Sequence, residues 1–346
     1  MYIKIPTRHA LLILSMFLII AFACNIPGAA TPTPAPATAP AVDAGPSAEP
    51  VVQHTIIPVS LPQDRTSHAG DYDSSTTAGQ REAAGGDRFT FGQYERPFNA
   101  DTMDVYFPEL DILDFLTYQD ATWIYTSILM RGSDSNGELS GRYGLELDMD
   151  VNGKGDWLVL VSGPLSTEWS TDGVEVWQDT NRDVGGVAPM YTDDEPGFGD
   201  GFDRQVFGPD QQDDPDMAWA RLSPDEPNLV QLAVKRSVFD NDETYLAGAW
   251  AGSDSLNPAM FDFNDHMTHT EAGAADRGLE IYYPIKALAE LDASCRVAVG
   301  FAATGKEPGL CTVLIPTVPG CTLTAQQCYD QNMDYDSRNC RCVVFG

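Results

Sequence analysis

The 346-residue sequence is short of basic side chains. Twenty Lys and Arg stand against 51 Asp and Glu, and Lys4 and Arg8 lie in its first ten residues. So acidic a chain has little means of neutralising phosphates, which argues against nucleic acid as a partner. Its surface repels itself unless salt or bound cations screen it. Catalytic motifs are also scarce. There is no G-x-S-x-G nucleophile elbow and no H-E-x-x-H; His266 and His269 in DHMTH lack the glutamate and sit in an acidic loop. Gly300 to Lys306, GFAATGK, continues with Glu307 and Pro308 where a phosphate loop needs Ser or Thr and a helix. Paired carboxylates for glycan hydrolysis stay open as an alternative, because 51 acids form many pairs and sequence gives no separation.

Cysteine is missing between Cys24 and Cys295. The first of these closes a leader: Lys4 and Arg8 precede the apolar run Ala10 to Ala23, too short for a membrane span, and small residues at 21 and 23 lead into the cysteine. Residues 1–23 therefore read as a signal peptide, and ILSMFLIIAFAC resembles a bacterial lipobox, which would make Cys24 the lipidated first residue of an extracytoplasmic, membrane-anchored chain. Residues 24–86 are rich in Pro, Ala, Thr, Ser and Gly and read as an extended, disordered spacer holding a domain away from the membrane.

Long helical periodicity is also scarce, which argues against an α/β fold. Short apolar segments separated by turn residues run from about residue 87: Thr122 to Met130, Tyr143 to Asp148, Trp157 to Val161, Val174 to Gln178, Leu229 to Val234, Tyr245 to Trp250, Leu279 to Tyr283 and Arg296 to Phe301. Only Ile285 to Leu291 and Pro215 to Arg221 suggest short helices. The expected fold is all-β, an antiparallel β-sandwich of jelly-roll or immunoglobulin-like kind over 87–312, followed by a small Cys-rich module at 313–346.

What the sequence does carry is an acidic loop between two strands, LELDMDVNGKGDWLVLV. Asp148, Asp150 and Asn152 stand at alternate positions before Gly153, with Asp156 further on, the oxygen spacing that wraps around Ca2+. The first half follows the EF-hand recipe; the second does not, because Val159 occupies the position of the bidentate glutamate and the flanks are strands. A second loop, after Val174 to Trp177, repeats the spacing with Asp179, Asn181 and Asp183 ahead of a Gly-Gly pair. Both are expected to hold structural Ca2+, although Asp and Asn in such spacing also cap plain turns. Asp213, Asp214 and Asp216, and Asp262, Asn264 and Asp265, are candidates to complete a site across space. Of the six tryptophans, most lie in strand patterns and belong in a core. Trp169, in the polar run STEWSTDG, is the one expected to be exposed and is the ligand-binding candidate.

The remaining cysteines, Cys295, Cys311, Cys321, Cys328, Cys340 and Cys342, form an even set in the last 52 residues, as expected of an oxidised, exported tail. A Cys295–Cys311 bridge closing a hairpin is expected, and the final four would staple the mini-module with undetermined pairing.

The order PELDIL (Pro108 to Leu113), TWIYTSILM, YGLELDMDVNGKGD and LEIYYPIKAL (Leu279 to Leu288) resembles family-nine carbohydrate-binding modules and the related DOMON-type domains, over about residues 87 to 310. That resemblance implies a β-sandwich that binds sugars, haem or metals or serves as an accessory domain. The leader, spacer and Cys-rich tail together resemble bacterial surface lipoproteins. The reading is a lipid-anchored binding or interaction module with structural Ca2+, whose partner is a surface or environmental glycan or a protein.

Overall fold

The computed structural model describes residues 52–83, 93–163, 165–185, 199–209, 213–273 and 284–311, with 323, 327, 334–336 and 341–343. The leader, Cys24 and about half of the spacer, Leu279 to Tyr283, Cys321, Cys328 and Cys340 lie outside these residues. Residues 52–346 form one compact unit. Among the described residues, no helix is long and apolar enough to cross a membrane.

Fifteen strands are described: β1 (Ser67–Gly70), β2 (Tyr94–Arg96), β3 (Ile112–Gln119), β4 (Trp123–Met130), β5 (Arg142–Asp148), β6 (Trp157–Ser162), β7 (Val174–Gln178), β8 (Arg204–Phe207), β9 (Ala218–Leu222), β10 (Leu229–Lys235), β11 (Tyr245–Gly252), β12 (Leu291–Ala293), β13 (Val297–Val299), β14 (Asp334–Asp336) and β15 (Arg341–Val343). Three four-residue helices accompany them, α1 (Ser75–Ala78), α2 (Phe263–His266) and α3 (His269–Ala272). The strands make two antiparallel sheets, β1-β3-β4-β10-β9 and β2-β12-β11-β5-β6-β7-β8, with β13 also paired to β11; β14 and β15 form a separate ribbon. The fold is the antiparallel sandwich expected.

Alternation along the strands builds the core. Ile124, Ile128, Val230, Leu232 and Val234 of the first sheet pack with Tyr143, Leu145, Leu147, Val159, Val161, Val174 and Val176 of the second. Several strands are apolar on both faces because each sheet is also covered outside. Leu158, Leu160, Trp250 and Leu291 pack under Phe261, Phe263 and Leu288. On the other side, Trp123, Tyr125 and Trp219 pack with Leu61, Tyr118 and Trp169.

Three local expectations change. Ser67–Gly70 lies in the stretch read as spacer, yet it pairs with β3 as an edge strand, and Ala69 is buried. An edge strand needs one neighbour's backbone rather than an apolar sequence. Pro215 to Arg221 forms no helix: Ala218–Leu222 pairs with β10, which buries Ala218, Trp219 and Ala220. Ile285 to Leu291 is not helical either. Its backbone groups bond across the chain instead, Ile285 O accepting from Asp101 N, Lys286 N and Ala287 N donating to Ala272 O and Glu271 O, and Glu290 N to Phe98 O.

Candidate metal centres

The β5–β6 hairpin places the first loop at the rim of the second sheet. Asp148 ends β5 and is buried, and Asp156 N donates to Leu147 O at 2.8 Å to close the hairpin. Asp148 organises the turn between them: Oδ1 accepts from Asn152 N at 3.1 Å and Oδ2 from Gly153 N at 2.8 Å. Asn152 Oδ1 accepts from Lys154 N, and Asp156 Oδ2 from Met149 N at 2.6 Å. The wrap carries Val151 at φ 58° and Gly153 at φ 95° through the left-handed region, where a β-branched residue is costly and glycine is not. Asp148, Asp150 and Asp156 each offer an oxygen, all lying within 4.8 Å of one another.

Below the loop, Arg296 reaches Glu146 Oε1 at 2.8 Å and Asp148 Oδ2 at 3.4 Å, and Trp250 Nε1 donates to Glu146 Oε2. Burial raises the Asp148 carboxyl to about 6, against the opposing pull of Arg296 and the two amides. Burial also raises Asp156. A cation is the natural counter to carboxylates held this close.

The second loop follows β7 and repeats the wrap. Asp179 Oδ1 accepts from Asn181 N and Arg182 N, and its Oδ2 from Val184 N, while Arg182 takes φ 66° where Val151 stands in the first loop. The loops touch: Asp179 N donates to Asp156 O at 3.0 Å, and Lys154 Nζ to Arg182 O at 2.8 Å. Asp183 Oδ2 accepts from Asp200 N, Asn181 Nδ2 donates to Asp200 Oδ1, and a Cβ on Gly199 would stand 3.6 Å from Asp265 Oδ2 and 3.7 Å from Asp183 Cγ. The segment holding Asp265 thus approaches this loop. Asp214 and Asp216 are used elsewhere: Asp214 pairs with Lys235, and Asp216 holds residues 54–56.

Trp169 is half-buried rather than an open platform. The Arg221 guanidinium lies 4.4 Å over its ring, and its Nε1 donates to Val59 O at 3.3 Å. Near the first loop, a cavity of about 30 Å³ is lined by Tyr94, Glu146, Trp250, Phe261, Asp262 and Arg296. It has room for water and not for a sugar ring, so its acids do not make a glycan cleft. The Cys295–Cys311 bridge is present, and Cys342 is also disulfide-bonded.

Sequence reasoning missed a second acidic centre. Glu95 of β2, Asp111 just before β3 and Asp292 of β12 each place an oxygen within 4.8 Å of the others, and all three are buried. Burial is the largest effect on each, raising Asp111 to about 7 and Glu95 and Asp292 well above the usual carboxylate range; Asp71, beside them, is raised likewise. The available signal was an acid inside an apolar run, as in Leu110-Asp111-Ile112 and Leu291-Asp292-Ala293. Comparison with known proteins yields no relative: no family model, no curated protein and no solved structure matches the chain.

Proposed function

We propose that the chain is a lipid-anchored, extracytoplasmic binding or interaction module whose Asp148–Asp156 loop holds Ca2+ in a structural role. The observation that carries the reading is the convergence of Asp148, Asp150 and Asp156 oxygens within 4.8 Å in a loop already wrapped by its own amides. Hard carboxylate oxygens gathered this closely suit that ion. The flanks are strands, so binding stiffens a rim and moves no helix pair as a calcium switch would. The second loop, bonded to the first, shares that stiffness.

The leader and Cys24 supply the membrane anchor in this reading, and the rim and the outer sheet faces supply the surface for a glycan or protein partner. The test is amide exchange at residues 149–155 in EDTA-stripped chain, with and without Ca2+. Added Ca2+ should slow exchange there, and Asp150→Ala, at an exposed position, should abolish the effect. Exchange that ignores Ca2+ in the parent chain refutes the loop site. For the anchor, Cys24→Ala should move the protein from the membrane fraction to the soluble one; unchanged membrane retention refutes it.

A further inference from the structure

The interior centre of Glu95, Asp111 and Asp292 differs in kind from the rim loops. Its residues are 2%, 0% and 0% exposed. Three buried carboxylates this close repel strongly and lose hydration, so they persist only with protons or a cation among them. Among the described residues none of these three acids forms an ion pair with a Lys or Arg.

The hydrogen bonds have another pattern. Each carboxylate has one oxygen held from outside: Glu95 Oε1 by Ser74 Oγ, Asp111 Oδ2 by the Tyr106 hydroxyl, and Asp292 Oδ2 by Ile112 N at 2.6 Å. The other oxygens of Asp111 and Asp292, both sealed from solvent, have no hydrogen-bond partner. Asp71 repeats this beside them, with Oδ1 accepting from Tyr72 N at 3.0 Å and a buried Oδ2 unpartnered. Outer hydrogen bonds that fix one oxygen and leave its twin bare are how protein shells orient metal ligands. Bare buried oxygens are otherwise costly enough to be rare.

We infer that Glu95, Asp111 and Asp292, with Asp71 at their side, form an interior divalent-cation site that takes Ca2+. All-oxygen ligation selects a hard cation, and carboxylates drawn from separate strands suit the flexible six-to-eight-oxygen shell of Ca2+ better than the near-ideal octahedron that Mg2+ demands. The ion ties together residues remote in sequence. Asp111 leads into β3 of the first sheet, Glu95 and Asp292 lie on the paired strands β2 and β12 at the edge of the second, and Asp71 follows β1. It therefore staples one sheet to the other and fastens the N-terminal edge strand to both.

This inference does not rest on the rim-loop reading, and one experiment separates them. Full chain purified in calcium is passed through calcium-free buffer, and retained Ca2+ is measured by atomic absorption for the parent, Asp150→Ala, Asp111→Asn and Asp292→Asn. A site on the rim exchanges freely, whereas the interior ion should stay: one equivalent per chain in the parent and in Asp150→Ala, and none in the two Asn variants. In Asp150→Ala, whose rim loop no longer responds, Ca2+ at a hundredfold excess over its Kd should raise Tm by about 5–10 °C above the EDTA value, and adding Asp111→Asn or Asp292→Asn to that variant should abolish the response. Asn is isosteric and removes repulsion, so both variants should fold without calcium; circular dichroism checks this, and Asp71→Asn offers a third, peripheral substitution expected to weaken retention. Equal retention in parent and Asn variants overturns the inference, as does a parent that neither keeps calcium nor gains Tm from it. Loss of calcium only in Asp150→Ala would place the ion on the rim and likewise overturn it.

Discussion

Residues 52–66, ahead of β1, lie along the outer face of the first sheet without regular structure, and one carboxylate holds them. Asp216 Oδ2 accepts from Thr55 N at 2.8 Å, Thr55 Oγ1 at 2.8 Å and Ile56 N at 2.9 Å, while Oδ1 meets His54 Nδ1 at 2.8 Å. Downstream, Leu61 packs on the Trp123, Tyr125 and Trp219 cluster, yet Val59 is 82% exposed. Burial raises the Asp216 carboxyl, but the Thr55 and Ile56 amides, the Thr55 hydroxyl and His54 outweigh it and bring it down to about 2 from an ordinary 3.8. That shift corresponds to about 2 kcal/mol favouring the docked segment when Asp216 is ionised. A depressed folded pKa gives stability present above pH 3.8 and lost as pH falls through about 2. Asp216→Ala should therefore lower amide-exchange protection at Thr55 and Ile56 by about thirtyfold or more at pH 7, and raise acrylamide quenching of the tryptophans beneath. The global melting temperature should move less, because local segments open below the global free energy. Asp216→Asn, which keeps an acceptor without the charge, should fall between. Unchanged protection in Asp216→Ala would refute the assignment of the anchor to this carboxylate.

Two further perturbations probe the sandwich. Arg296→Met keeps much of the side-chain volume but strands Glu146 and Asp148 in the interior, where losing one partner of a buried ion pair costs about 3–5 kcal/mol; urea unfolding reads the loss, and a midpoint within error of the parent would show the guanidinium to be dispensable. Replacing both Cys295 and Cys311 by Ala opens a cross-link with sequence separation 16, worth about 3 kcal/mol through the unfolded chain; the urea midpoint under oxidising conditions should drop accordingly, and a reducing agent should then have no further effect arising from this bridge.

The sandwich was legible wherever a strand is long and apolar. Trp123–Met130, Leu229–Lys235 and Tyr245–Gly252 announce themselves because both faces of each pack against something. Short strands at edges were not legible. Ser67–Gly70 and Tyr94–Arg96 carry polar or charged residues and gain their structure from a neighbour's backbone, which composition does not record. Ala218–Leu222 was misread because five residues of alternating small and large side chains fit a helical turn as well as a strand, and only pairing with β10 decides between them. The rim loops show the same division. The spacing of Asp148, Asp150 and Asp156 foretold a compact acidic turn, since the ligands sit within one local wrap. The matching spacing of Asp179, Asn181 and Asp183 did not foretell that Asp183 turns toward Asp200 and the Asp265 segment, because those partners lie outside the local wrap, Asp200 by 17 residues.

The interior centre marks the limit of motif reading more sharply. Its acids come from four separate segments, so no local spacing can encode them; they meet only because β12 pairs with β2 while Ile112 N donates to Asp292 across the sheets. An acid in an apolar run is nevertheless informative on energetic grounds. Burying a lone carboxylate costs several kcal/mol, comparable to much of a domain's net stability, so a sequence that places Asp111 between Leu110 and Ile112 and Asp292 between Leu291 and Ala293 needs compensation for each. Arg296 supplies it for Glu146 and Asp148. Among the described residues none of Glu95, Asp111 and Asp292 forms an ion pair with Lys or Arg; Arg131 favours the Asp111 carboxylate only from a distance while pairing with Asp73, and the hydrogen bonds there hold the acids in position without neutralising them. The rim and the interior thus answer the same excess of negative charge differently, one with a guanidinium below a solvent-facing turn, the other with buried acids that leave oxygens of Asp111 and Asp292 without a hydrogen-bond partner. A cation held among these oxygens would be part of the folding energy of the sandwich, so that chelation should loosen the N-terminal edge strand before the central strands.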